Sequence, residues 1–351
     1  YTAYGKGIGG PGGIVGASWG DQTRFCDYDV TDYFKFDGGY ILLPYKSWIF
    51  PFFEKKTISE SDNHIELWDV NGIRKKIIKD DSSMPLFLDW PVHNKKDWGK
   101  VKEERFNLNS INKRWITNKE NFIKKMKNRT RPLLIFDPPI GFFGSLRELI
   151  GVENLFFLFY DEPKLIHSIL DHLCNLWISI AEELTAKIDF DMAIFWEDMA
   201  GKQGSLISPL TFKEFLTPRY KKIINFLKSK GIKYFLVDTD GKVDVLIPLF
   251  LEAGINAMLP FEQQAGNDLI NIRKEYPNLI MFGGFDKNTL HKGKEFIDKE
   301  LEKMNLLISK GGYIPFVDHD IPPNSSWENF KYYRNRLNEI IYSTKVLSKT
   351  L

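Results

Sequence analysis

Six short apolar runs in the second half of the chain each stop at an acidic or polar residue and hand over to a helical pattern. They are Pro132–Phe136, Met192–Trp196, Ile232–Val237, Ile255–Phe261, Leu279–Gly283 and Tyr313–Val317. The residues that follow them are Asp137, Glu197-Asp198, Asp238-Thr239-Asp240, Glu262, Asp286 and Asp318-His319-Asp320. Continuous apolar stretches are what parallel strands look like when both faces of the sheet are covered. Strand and helix alternating to the C-terminus point to a (β/α)8 TIM-type barrel, in which polar residues at the strand C-terminal ends share one mouth.

The helices between these runs are legible from their stripes. Leu165, Ile166, Ile169, Leu170, Leu173, Leu176, Trp177, Ile180 and Leu184 recur at helical spacing and predict one long helix over 161–187. Ser208-Pro209 reads as an N-cap followed by proline at the first helical position, and Gly231 as the stop. Ser325 with Glu328 has capping-box spacing for the last helix. Residues 1–130 are less regular. Seven glycines between Gly5 and Gly16 lack the Gly-Lys-Ser/Thr element of a phosphate loop, so turning backbone is the expectation. Strand-like stretches such as Ile65–Val70 predict a hairpin within an irregular N-terminal extension. The whole of 1–351 is thus expected to be a single barrel domain, with its main β/α run in 131–351.

A length of 351 residues with 43% hydrophobic content suits one large catalytic domain. With 48 basic against 46 acidic residues the formal charge is only +2, so no global field draws in nucleic acid or an anionic membrane. Two cysteines cannot make a disulfide framework, and Cys174 falls on the apolar stripe of a helix as a buried, inert thiol. No window approaches the ~18 consecutive apolar residues of a membrane span. A cytoplasmic protein acting on a small molecule is expected.

The ordered series Trp196-Glu197-Asp198-Met199-Ala200-Gly201, Ser208-Pro209, Asp238-Thr239-Asp240-Gly241, Glu252-Ala253-Gly254-Ile255-Asn256, Gly283-Gly284-Phe285-Asp286-Lys287, Gly311-Gly312-Tyr313-Ile314 and Asp318-His319-Asp320-Ile321-Pro322-Pro323 resembles the uroporphyrinogen decarboxylase superfamily. The resemblance runs from about 130 to 345, and Ser83-Met84-Pro85 with Trp90-Pro91-Val92 extends it towards the N-terminus. It implies one of two activities: decarboxylation, or methyl transfer between a corrinoid protein and a small acceptor. Decarboxylases of the family carry an Arg-Gln-Ala-Gly-Arg element that binds substrate carboxylates. The comparable stretch here, Gly16-Ala17-Ser18-Trp19-Gly20-Asp21-Gln22-Thr23-Arg24, has a single arginine. An acid-lined mouth also disfavours an octacarboxylate. Methyl transfer is therefore preferred, with a smaller carboxylated substrate as the alternative and a noncatalytic ligand-binding barrel as a third possibility.

The thiol-directed methyltransferases of the family hold zinc with a His-x-Cys pair and a later Cys. Those positions fall on Asp238, Asp240 and His319, which the resemblance makes candidate ligands for one divalent ion, zinc or manganese, with Glu197 or Glu262 as a further ligand. Ordinary turn chemistry explains Asp-x-Asp-Gly equally well. His319 stands directly after a strand and is also a candidate acid or base, together with Glu197 and Asp198. Arg147 is the candidate for a substrate carboxylate or phosphate, unless it merely pairs with Glu148 or Asp161. Lys202, Gln203, Glu262 and Asp286 complete the expected substrate contacts, with a structural salt bridge to Lys287 as the other role for Asp286.

Overall fold

The computed structural model describes residues 33, 34, 36, 39–79 and 84–346. The glycine-rich opening, Cys26, the Gly16–Arg24 stretch and Ser83 lie outside the described residues. The chain enters its main sheet at β1 (Ile41–Leu42), then builds a separate antiparallel sheet from β2 (Lys56–Glu60), β3 (His64–Trp68), β4 (Arg74–Ile78) and β5 (Leu86–Asp89). Helices α1 (Lys95–Arg105) and α2 (Lys119–Met126) lead back to the main sheet at β6 (Leu133–Ile135). Asn94 and Asn118 cap these two helices through their side-chain oxygens.

From β6 onward the expected alternation holds. Helices α3 (Phe142–Ile150), α4 (Val152–Asp161) and α5 (Pro163–Thr185) precede β7 (Met192–Trp196). A hairpin of β8 (Ala200–Gly201) and β9 (Gly204–Ser205) comes before α6 (Thr217–Ser229) and β10 (Tyr234–Asp238). Then follow α7 (Leu246–Ala253), β11 (Ala257–Leu259), α8 (Leu269–Glu275), β12 (Ile280–Phe282), α9 (Lys294–Ser309), β13 (Tyr313–Ile314) and α10 (Trp327–Ser343). Each of the six apolar runs contains a strand or overlaps one.

The main sheet has seven strands in the order β1-β6-β7-β10-β11-β12-β13, and every pairing in it is parallel. Strands that succeed one another without reversal wind the sheet in one direction, as in a barrel, and unlike a doubly wound sheet. The described residues give a curled parallel sheet with β1 and β13 at its edges. The expected eighth strand and the closing hydrogen bonds are not among them.

Alternation along the strands divides the core in two. Leu133, Ile135, Ala193, Phe195, Phe235, Val237, Met258 and Met281 join the large cluster under the helices. Leu134, Ile194, Leu236 and Ala257 form a smaller cluster with Tyr40, Met192, Leu259, Ile280 and Phe282 against it. A sheet with apolar side chains on both faces is why its strands read as unbroken runs.

The helix expected over 161–187 is α5, which starts at Pro163 after the non-helical Glu162 (φ −133°, ψ 53°) and holds the whole stripe from Leu165 to Leu184. Two expectations change. The last helix is capped by Ser326, which accepts from Asn329 N, while Ser325 is buried one residue earlier. The hairpin of the extension is a four-stranded sheet. Cys174 is buried and unpaired as expected, its thiol pushed up to about 11 by burial. No helix among the described residues is long and apolar enough to cross a membrane.

Candidate active site

Parallel pairing brings the residues after β6, β7, β10, β11, β12 and β13 to one end of the sheet, so Asp137, Asp198, Asp238, Glu262, Asp286 and His319 share an edge as expected. Ile194, Leu236 and Ala257 are in register on the inner face, and the next inward row is Trp196, Asp238 and Leu259. Asp238 thus sits at the rim of an apolar interior. Three non-glycine residues at these strand ends have left-handed backbone: Phe136 (φ 70°), Asp198 (φ 41°) and Phe261 (φ 60°). Such conformations cost of order 1–3 kcal/mol each and persist where surrounding structure imposes them.

His319 and Asp240 meet across the mouth, with Nε2 3.3 Å from a carboxylate oxygen. That contact raises the imidazole's pKa to about 9 against the opposing effect of burial. The amide of Asp320 donates to His319 Nδ1 over 2.7 Å, which favours the neutral ring and so works against the ion pair. Glu262 joins them. Asp240, Glu262 and His319 each offer one ligand atom, all within 4.8 Å of one another, and Asp238 is not in this group. Glu262 already accepts from Gly241 N at 2.9 Å and lies 3.8 Å from Lys287 Nζ.

Arg147 and Asp198 form a second pair at 2.6 Å, and the guanidinium lies over the Trp196 ring at 5.2 Å. Burial raises the Asp198 carboxyl even so, with Asp240 adding to it and Arg147 and His319 opposing. Asp238 is pushed well above the usual carboxylate range by burial, then by Asp240 and Asp198, with His319 relieving it. Arg147 therefore pairs with neither Glu148 nor Asp161.

Glu197 turns the other way. It is fully buried and accepts from Phe142 N and Gly144 N, both at 2.7 Å, and from the Tyr220 hydroxyl. A carboxylate from β7 thus caps α3, whose own N-cap residue, Gly141, has no side chain to do so. Burial lifts its pKa to about 7 despite these donors.

Asp286 caps a short turn by accepting from Asn288 N at 2.9 Å, and also accepts from Gln264 Nε2 at 3.0 Å. Lys202 and Gln203 are exposed at the tip of the β8–β9 hairpin. The base of that hairpin packs so closely on Gly241 that a Cβ there would meet Ala200 O at 2.5 Å. Asp318, not singled out from the sequence, is fully buried and accepts from Gln263 N at 2.7 Å and Lys287 N at 3.0 Å. Burial raises its pKa to about 6. Its position after the last apolar run was the available signal. Tyr220 gave none, since it lies on an ordinary helical stripe.

The family model for uroporphyrinogen decarboxylase (URO-D) matches residues 139–340, a stretch that holds every one of these mouth residues except Asp137. The chain belongs to the URO-D family. Among relatives of this URO-D chain, the chloroplastic uroporphyrinogen decarboxylase of Nicotiana tabacum is 22% identical over 200 residues, 54% of this chain and 46% of that protein. Uroporphyrinogen decarboxylase of Hydrogenobaculum sp. (strain Y04AAS1) is 26% identical over 148 residues, 41% of each. The matches thus span less than half the length of either relative. Among solved structures, a methyltransferase from Methanosarcina mazei superposes with a TM-score of 0.51 at 14% identity, covering 89% of this chain and 83% of that one. The fold is therefore shared between proteins named for different reactions.

Proposed function

We propose that this URO-D family chain is a cytoplasmic methyltransferase built on a closed (β/α)8 barrel, moving a methyl group between a corrinoid protein and a small acceptor. The observation that carries the proposal is the meeting of Asp240, Glu262 and His319. Two carboxylates and an imidazole suit zinc or manganese, and this donor set is harder than one built on thiolates. Coordination through His319 Nε2 leaves the ring proton on Nδ1, so the Asp320 amide must turn away. When bound, a divalent ion would lower the pKa of an acceptor group or of water. Arg147 would hold an anionic part of the substrate once Asp198 releases it, and Glu197 would position α3 without touching substrate. The corrinoid belongs to a partner, and no residue of this chain is assigned to it.

Elemental analysis after reconstitution with zinc or manganese tests this reading. About one ion per chain is expected, with most of the affinity lost in His319→Ala, Asp240→Ala and Glu262→Ala. No metal in the parent protein would sink it. Arg147 at the rim and the names of the two relatives favour a second reading, metal-free decarboxylation of a small carboxylated substrate.

A further inference from the structure

The last residues of five neighbouring strands stand in one row across the inner face of the sheet. Asp238 is in register with Trp196 on one side and Leu259 on the other, and Phe282 with Ile314. Leu259 and Phe282 lie one step beyond the paired Met258 and Met281, which completes the row. None of the five is buried, and Ile314 is 40% exposed. Two residues back on the same face, Ile194, Leu236 and Ala257 are at most 1% exposed. Water therefore reaches this row on β7, β10 and β11 and is stopped by the layer beneath it. The row is the floor of the mouth, under the loops that carry Asp240, Glu262 and His319.

Four of the five side chains in this floor are apolar. The Trp196 ring is already occupied by the Arg147 guanidinium at 5.2 Å, and Ile314 belongs to an edge strand. Leu259 and Phe282 remain in the middle, half-buried and packed on the inner apolar cluster. Water held against such a surface is unfavourable, and a hydrocarbon group that displaces it gains that free energy. An apolar floor under a rim with a few placed polar groups is the anatomy of a small-molecule site. We propose that Leu259 and Phe282 are specificity-determining residues that receive a ring-sized hydrocarbon part of the substrate, while its polar reacting end stays at the rim. A wholly polar acceptor would leave both side chains wet. This deepens the proposed function by naming a substrate class, an amphipathic small molecule, and rests on the mouth being the substrate site, not on the metal or on methyl transfer.

The probe is benzyl alcohol, which joins a hydrocarbon ring to a hydroxyl and carries no charge for the acids or Arg147 to select. Titration calorimetry on the full chain should show saturable binding with a negative heat-capacity change, and ethylene glycol should show none. Phe282→Ala and Leu259→Asn should each weaken binding about tenfold or more. Tyr234→Ala, at the other end of β10 where the side chain is 48% exposed, should leave it unchanged. Thermal melts show whether each variant is folded. On the parent itself, nuclear Overhauser contacts from the probe's ring protons to Leu259 and Phe282 read the same site without a substitution. No saturable binding, equal binding of the two alcohols, an equal loss in Tyr234→Ala, or contacts to neither residue would overturn the proposal. So would unchanged affinity in both mouth variants. A parent that takes up zinc yet does not bind benzyl alcohol would overturn this inference and leave the metal reading standing. One that binds benzyl alcohol as expected but no metal would support the inference and end the metal reading.

Discussion

Glu148 lies in α3 beside Arg147, and its Oε2 is buried with no hydrogen-bond partner. Burial raises its pKa from 4.5 to about 7, with Arg147 opposing. A group whose folded pKa is raised contributes stability below its unfolded pKa and loses that contribution as pH rises through the folded value. The window here is therefore about 4.5 to 7. Urea unfolding at both ends of it should show that Glu148→Gln narrows the drop in stability by up to roughly 3 kcal/mol; an unchanged drop would refute the assignment. Residue by residue, Asp238, Asp240 and His319 were legible because each follows an apolar run. Glu197 was not. Two acids in a row leave open which faces the mouth, and the left-handed turn at Asp198 that decides it has no local sequence signal.

At the scale of elements, α3 is seated on the end of β7 with no room between. A Cβ on Gly141 or Gly144 would meet Trp196 O at 1.9 or 2.3 Å, so glycine is needed here for close approach of two backbones. Gly144→Ala should lower stability by more than about 3 kcal/mol, or prevent folding. Gly99→Ala, at an exposed position of α1 with nothing within 4 Å, should raise it by roughly 0.5–1 kcal/mol. Thermal melts of the two variants side by side check the contrast. Long strands and stripes were visible in the sequence because burial writes a period into them. The two-residue β1 was not, since so short a run has no period, and its place beside β6 is set by tertiary pairing. Ser325 and Ser326 could each cap the last helix by local rules, and packing chose the second.

At the scale of the whole molecule, family and winding were readable from the order of the motifs, whereas the reaction was not, because it depends on side chains from separate loops. The acid-rich mouth predicts that purified protein will not convert uroporphyrinogen to coproporphyrinogen above background in an anaerobic assay; robust turnover would put decarboxylation first. The Asp318 clamp has a consequence for any ligand. One carboxylate from the segment after β13 holds the backbones after β11 and β12, through Gln263 and Lys287. These two segments carry Glu262, which neighbours Gln263, and Lys287 itself. Ordering them is thus completed when the chain folds, and association need not meet that entropic cost a second time. Half of the rim is preorganised, so a ligand that fits it should bind without waiting for loops to close.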